Sequence, residues 1–98
     1  MRSEFHSAAE QEFAAAVTLG ELRGAGLGAE LLAEAQRLAE LLCDTSSIGE
    51  VLDERHRRFP IRRFPFAFMY RVDGDVLRII AVSHRRQKPG YWRAQLKR

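Results

Sequence analysis

Apolar residues change their spacing once along this chain, and that change constrains the fold more than any other feature. Leu31, Ala35, Leu38 and Leu42 follow one another at helical intervals, with Glu30, Glu34, Arg37 and Glu40 outside the seam. After residue 64 the period is two. Phe66, Phe68, Tyr70 and Val72 alternate with other residues, as a strand with one packed face requires. Helices first and strands afterwards predict an α+β fold in which a helical layer covers a sheet.

The elements can be placed more closely. Ser7 followed three residues later by Glu10 reads as a capping box opening a helix over about 7–22, with Phe13, Ala16, Val17 and Gly20 on one apolar stripe. Gly24-Ala25-Gly26 breaks it, and a second helix runs over about 27–43, so the two form an antiparallel hairpin. Residues 44–54 are polar and aperiodic and read as a loop. Asp73-Gly74 joins the strand over 66–72 to a second strand over 76–82 by a tight turn. Pro60 assigns the segment 57–64 to an edge strand, and Arg2–His6 supplies a short first strand. Pro89 suits the first turn of a helix over about 89–97. The expected order is β-α-α-β-β-β-α within one domain, 1–98: a helical hairpin (about 7–43) packed on a small antiparallel sheet (about 57–84), with the C-terminal helix last.

Charge is divided as sharply as periodicity. Residues 1–54 hold 11 Asp/Glu against 3 Arg, whereas residues 55–98 hold 13 Lys/Arg against 2 Asp, so the formal net charge of +3 conceals opposed halves. Fourteen of the 16 cations are arginine, whose planar fork matches phosphate and carboxylate; a GC-rich coding sequence produces the same bias without a functional reason. Cys43 is the sole cysteine, which excludes an intrachain disulfide and a cysteine-based zinc site and suits a reducing cytosol. His6, His56 and His84 have no local metal-ligand spacing, so no metal and no cofactor are expected. Met1–Ala16 carries Arg2, Glu4, Glu10 and Glu12 and lacks a signal-peptide core, and no apolar run is long enough to span a bilayer; a cytoplasmic protein without membrane contact is expected.

Four local matches then stand out: Ser7-Ala8-Ala9-Glu10-Gln11-Glu12-Phe13; Gly26-Leu27-Gly28; Arg63-Phe64-Pro65-Phe66 with Met69-Tyr70-Arg71-Val72; and Ala81-Val82-Ser83-His84-Arg85-Arg86 followed by Pro89-Gly90-Tyr91-Trp92. With the element order, they make the chain resemble the RelE/ParE superfamily of bacterial type II toxins. The resemblance implies a cognate antitoxin. It also implies one of two targets: DNA gyrase, poisoned without cleavage by the toxin itself, or messenger RNA, cut in the ribosomal A site. A degenerate toxin that binds only its antitoxin and DNA is a third possibility.

A metal-free nuclease needs a base for the 2′-hydroxyl, a cation for the scissile phosphate and an acid for the leaving oxygen. Arg85 and Tyr91 match the C-terminal arginine and tyrosine of RelE-like nucleases, with His84 as a substitute base or a backbone-bonded structural residue. Ala67 stands where such nucleases carry a phosphate-binding arginine. Arg62 and Arg63 replace their lysines, and a guanidinium with a pKa above about 12 is a poor proton acceptor. The resemblance therefore leans towards ParE, with no catalytic residue expected.

The clusters Arg55-His56-Arg57-Arg58, Arg62-Arg63 and Arg85-Arg86 suit DNA, RNA, an acidic gyrase surface or an acidic antitoxin tail; solvated strand edges carry such charges too. Tyr91 and Trp92 either stack on a partner or anchor the terminal helix. Arg62, Arg63, Arg85, Arg86, Tyr91 and Trp92 are thus the expected target or antitoxin contacts, and Phe13, Val17, Leu31 and Leu38 the expected antitoxin groove on the hairpin. The expected partners are a ParD-like antitoxin in a hetero-oligomer, gyrase or alternatively ribosome and mRNA, and operator DNA only through the antitoxin.

Overall fold

A computed structural model describes residues 1–97. The elements are β1 (Arg2–Phe5), α1 (Ser7–Arg23), α2 (Leu27–Asp44), a 3-10 turn (Ser46–Ile48), β2 (Glu50–Val51), β3 (Arg57–Pro60), β4 (Phe66–Asp73), β5 (Val76–His84) and a C-terminal 3-10 segment (Tyr91–Lys97). The helical hairpin and the β4–β5 hairpin fall where the periodicity puts them. Gly74 has φ +62 as the first loop residue between Asp73 and Val76, the conformation that tight hairpin turns need.

The five strands lie in the order β1-β5-β4-β3-β2. The sheet is mixed where an antiparallel one is expected, because β1 runs parallel to β5, with Arg2 opposite Val76 and Phe5 opposite Ile79. A parallel partner needs a long crossover, and the helical hairpin between β1 and the later strands provides it. β2 is an additional two-residue strand inside the expected loop, with Glu50 opposite Arg58 and Val51 opposite Arg57. β3 stops at Pro60 because the turn opens at Ile61: its amide still donates across to the Phe66 carbonyl of β4, but its own carbonyl accepts from Phe64 within the turn.

Two of three further details depart from expectation. Ser7 is already helical; His6 is the N-cap, and its Nδ1 accepts from the Ala8 amide at 3.3 Å. The start of α2 is satisfied by the preceding helix, since the Glu21 carboxylate accepts from the Gly26 and Gly28 amides. The terminal element is a 3-10 segment and begins after Pro89, because Gly90 at φ +80 breaks any helix opened there.

Apolar burial divides between the two sheet faces. One face packs against the hairpin, with Leu31, Ala35, Leu38 and Leu42 of α2 meeting Phe68, Tyr70, Leu77, Ile79 and Val82. The other carries Met69, Ile80, Ala81 and Trp92 under the C-terminal segment. The register between β4 and β5 slips at Met69/Tyr70, leaving Ile80 without an opposite residue. Its carbonyl accepts from Gln95 Nε2 at 3.3 Å, which ties the C-terminal segment to the bulge. Gly49 allows a second tie: its amide donates to the Tyr70 hydroxyl, which donates to the Ser46 carbonyl at 2.6 Å, and a Cβ at 49 would collide with that hydroxyl.

Candidate functional site

The pairing of Phe66 with His84, extended by the Arg85 amide donating to the Pro65 carbonyl, brings two sequence-distant arginine pairs to one end of the sheet. Arg62 and Arg63 occupy the turn before β4, and Arg85 and Arg86 follow β5; all four are exposed. Arg63 has φ +72, making it the non-glycine residue with positive φ among the described residues. It is third in the Ile61–Phe64 turn, where a type II turn demands that conformation and usually takes glycine. Such a residue is held only when its surroundings fix it. Here buried Ile61 on one side and half-buried Phe64 on the other fix the turn. Glu30 lies 3.6 Å from the Arg63 guanidinium in an exposed pair.

Beside this arginine end is an apolar cleft of about 140 Å³ lined by Leu19, Leu31, Phe64, Pro65 and Phe66, with Arg23 and His84 at its border. A larger cleft of about 840 Å³ separates β1 from α2 and is lined by Phe5, Phe13, Leu32, Ala35, Ala39 and Cys43 among others. β1 ends the sheet, so one row of its backbone groups has no strand partner. Leu31 and Leu38 belong to the packed core, only 1% and 6% exposed, while Phe13 and Val17 are half-buried against it. The hairpin residues that offer apolar surface are instead Leu19, Leu22, Leu32 and Leu41. Periodicity identified the inward stripe, which the sheet itself covers.

The nuclease-like residues surround a groove of about 260 Å³ on the face away from the hairpin, where Arg58, Ser83, Arg85, Lys88 and Tyr91 come together. Arg62 and Arg63 are absent from its lining. They lie in a turn, and the residue that β3 contributes is Arg58, opposite Met69. Ala67 is fully buried between Pro60 and Ser83 in the strand register, so this position presents nothing to the groove. His84 is engaged locally: its Nδ1 accepts from the Arg86 amide, its own amide donates to Gln87, and its ring meets Phe66 edge-on at 5.2 Å.

Tyr91 and Trp92 anchor the C-terminal segment. The Tyr91 hydroxyl donates to Glu12 Oε2 at 2.7 Å, and Glu12 Oε1 accepts from the Val82 amide at 2.9 Å, beyond the end of β1. Burial, and then the Glu12 carboxylate, push the Tyr91 phenol far above its ordinary range. Trp92 is 2% exposed, with the His56 ring 4.8 Å away and the Arg93 guanidinium 4.5 Å over its own ring, so it has no free face for a base. Asp53 joins the same cluster, accepting from His56 Nδ1 at 2.9 Å and from Arg93 Nη1 at 2.7 Å. Sequence reasoning singled out neither Glu12 nor Asp53. Glu12 carries no local signal, because its partners lie 70 and 79 residues away. Arg58 was signalled by its cluster but not by its strand face.

Among the described residues, no group of three or more His, Cys, Asp or Glu is placed to hold a metal ion, and no helix is long and apolar enough to cross a membrane. No curated protein matches the chain significantly. Among solved structures it is similar to a chain of the chromosomal ParDE toxin–antitoxin system from P. aeruginosa, at 16% identity and a TM-score of 0.60, covering 86% of this chain and 95% of that one. At that identity the likeness is one of fold. The sequence itself matches, over residues 4–89, the family described as the ParE toxin of the type II toxin–antitoxin system parDE. The chain therefore belongs to the ParE toxin family.

Proposed function

We propose that this protein arrests growth by inhibiting DNA gyrase, acts in the cytoplasm, and is neutralised by a ParD-like antitoxin in a hetero-oligomer that meets operator DNA through the antitoxin. The observation that carries the choice of gyrase over messenger RNA is the engagement of Tyr91. A general acid must release its proton to the leaving oxygen. The Tyr91 hydroxyl instead donates to Glu12, and its environment opposes ionisation. Ala67 removes a phosphate contact, and His84 Nδ1 is already accepting a backbone amide. In this reading the protein is a binding module and no residue is catalytic. Purified toxin incubated with gyrase and relaxed plasmid should inhibit supercoiling or accumulate cleaved DNA. Neither effect at excess toxin would remove gyrase as the target.

Two surfaces suit the antitoxin. The cleft between β1 and α2 suits apolar side chains of a segment that folds on binding, with Phe13 in its wall and the edge of β1 open to backbone pairing. Arg62, Arg63, Arg85 and Arg86 suit its acidic residues. The product of the neighbouring reading frame is the partner to test. Charge reversal of Arg62 with Arg63, or of Arg85 with Arg86, should weaken that complex in a salt-dependent way.

One observation favours a second reading, ribosome-dependent mRNA cleavage: Arg58, Arg85, Lys88 and Tyr91 share one groove. It predicts codon-phased cuts on translating ribosomes that Arg85→Ala and Tyr91→Phe suppress. Intact message under those conditions counts against it.

A further inference from the structure

At the opposite end of β4 from the arginine pairs, arginines gather a second time. Arg71 and Arg78 face each other directly across β4 and β5, a like-charge placement that is destabilising by itself. Asp73 offsets it: Oδ2 accepts from Nε of both, at 2.9 and 3.1 Å, while Oδ1 accepts from Arg55 Nη2 at 3.1 Å. Three guanidiniums thus share one carboxylate, and Glu4 relieves only Arg78, at 3.3 Å. Arg55 and Arg71 border a cleft of about 300 Å³ whose other lining includes Ser46, Ser47, Arg57 and Tyr70.

Arg57 is oriented within this cleft. Its Nη1 donates to the carbonyls of Ser47 and Gly49, both at 2.9 Å, which fixes the plane of the guanidinium. Its Nε and Nη2 have no acceptor among the described residues. Those carbonyls are themselves placed by the Tyr70–Gly49–Ser46 tie, so the donor rests on a built loop. Ser46 and Ser47 also line the cleft. Glu54 also stands on the lining and opposes an anion, but against three bordering arginines and a shared Asp73 the local balance stays positive.

We propose that the cleft of Arg55, Arg57 and Arg71 with Ser46 and Ser47 is a binding site for a phosphate group, either inorganic phosphate or the phosphodiester of a DNA strand. Guanidinium forks match the oxygens of phosphate, and a fixed fork loses less freedom on binding than a mobile one. The site is independent of the toxin reading and of the groove around Tyr91. Arg71 stands five residues along β4 from Phe66, about 17 Å from the other arginine end.

The test is an NMR titration of the full chain with sodium phosphate, and separately with a short DNA duplex, each against sodium chloride of matched ionic strength. Saturable shifts of the Arg57 Nε–H and the Gly49 amide are expected. Arg55→Gln, at an exposed side chain, and Ser47→Asp, which sets a carboxylate at the mouth, should each weaken binding about tenfold while leaving the remaining spectrum in place. Saturation with phosphate alone assigns the site to the free anion, and saturation with duplex alone assigns it to the phosphodiester. Shifts with neither ligand beyond those of chloride, or variants that bind as tightly as the parent chain, would overturn the proposal.

Discussion

Tyr91 donates its hydroxyl to Glu12 at 2.7 Å across 79 residues of sequence, and this bond fastens the C-terminal segment to the first helix. Because Glu12 also accepts from Val82, one carboxylate closes the gap left where β1 ends. Tyr91→Phe should destabilise the fold by about 1–2 kcal/mol, since a hydrogen bond to a charged acceptor is lost in a half-buried place. Glu12→Ala should be worse, because it also strips a strand amide of its acceptor. Urea denaturation of the two variants checks the order. The raised phenol pKa gives a pH dependence as well. The folded state holds the proton more tightly than the unfolded chain, so this stabilisation is complete below about pH 10 and is lost as the pH rises above it. Tyr91→Phe should flatten that alkaline loss.

Asp53 holds the same segment through Arg93, two residues after Tyr91. The Arg55 backbone amide, and then the side chains of His56 and Arg93, hold its carboxyl well below the usual range despite partial burial. The folded state therefore prefers the ionised form. The contribution is present above about pH 4, the unfolded value, and is lost as the pH falls below it. Trp92 is the sole tryptophan and packs against His56, so it reports the event. Its emission should stay blue-shifted down to about pH 4 and move red below. Asp53→Ala should show the red shift at neutral pH, and an unchanged spectrum in that variant would show that His56 and Arg93 hold the segment without it.

Arg63 holds a backbone conformation that costs an L-residue with a side chain about 1–2 kcal/mol. Arg63→Gly removes this strain but frees the unfolded chain, so stability should be unchanged or rise by up to about 1 kcal/mol. Arg62→Gly has no such relief and should lower stability by about 0.5–1 kcal/mol. If the turn is kept for the guanidinium it presents, Arg63→Gly should weaken the antitoxin complex even as the free protein gains stability. Denaturation and binding measured on the same two variants separate these effects.

The fold was legible wherever the signal was local. The interval between Leu31, Ala35, Leu38 and Leu42 names the inward face of α2, and Asp73-Gly74 names the β4–β5 hairpin. What the sequence hid was non-local. β1 pairs with a strand 74 residues later, and only the sheet decides that this pairing is parallel. β2 has two residues in a polar stretch and exists because β3 offers an edge. At the site the same limit applied. Arg62 and Arg63 read as strand residues, but they are the central residues of the Ile61–Phe64 turn, which leaves Arg58 as the β3 arginine in the groove. Glu12 and Asp53 read as helix and loop acids until the C-terminal segment folds over them.

Ala67 offers the most direct test of whether the groove can be turned back into a nuclease site. Its side chain is fully buried, and strand register places it between Pro60 and Ser83. An arginine there must either bury a guanidinium without a carboxylate partner or force β3 and β5 apart. A buried unpaired charge costs several kcal/mol, so Ala67→Arg should lower stability by about 3 kcal/mol or more and yield little folded protein. Ala67→Ser, which adds only a hydroxyl, should lower it by about 1–2 kcal/mol. Thermal melts and soluble yield distinguish the two. If Ala67→Arg instead melts like the parent chain and cuts message on ribosomes, the groove has room for the missing cation and the gyrase reading loses one of its supports.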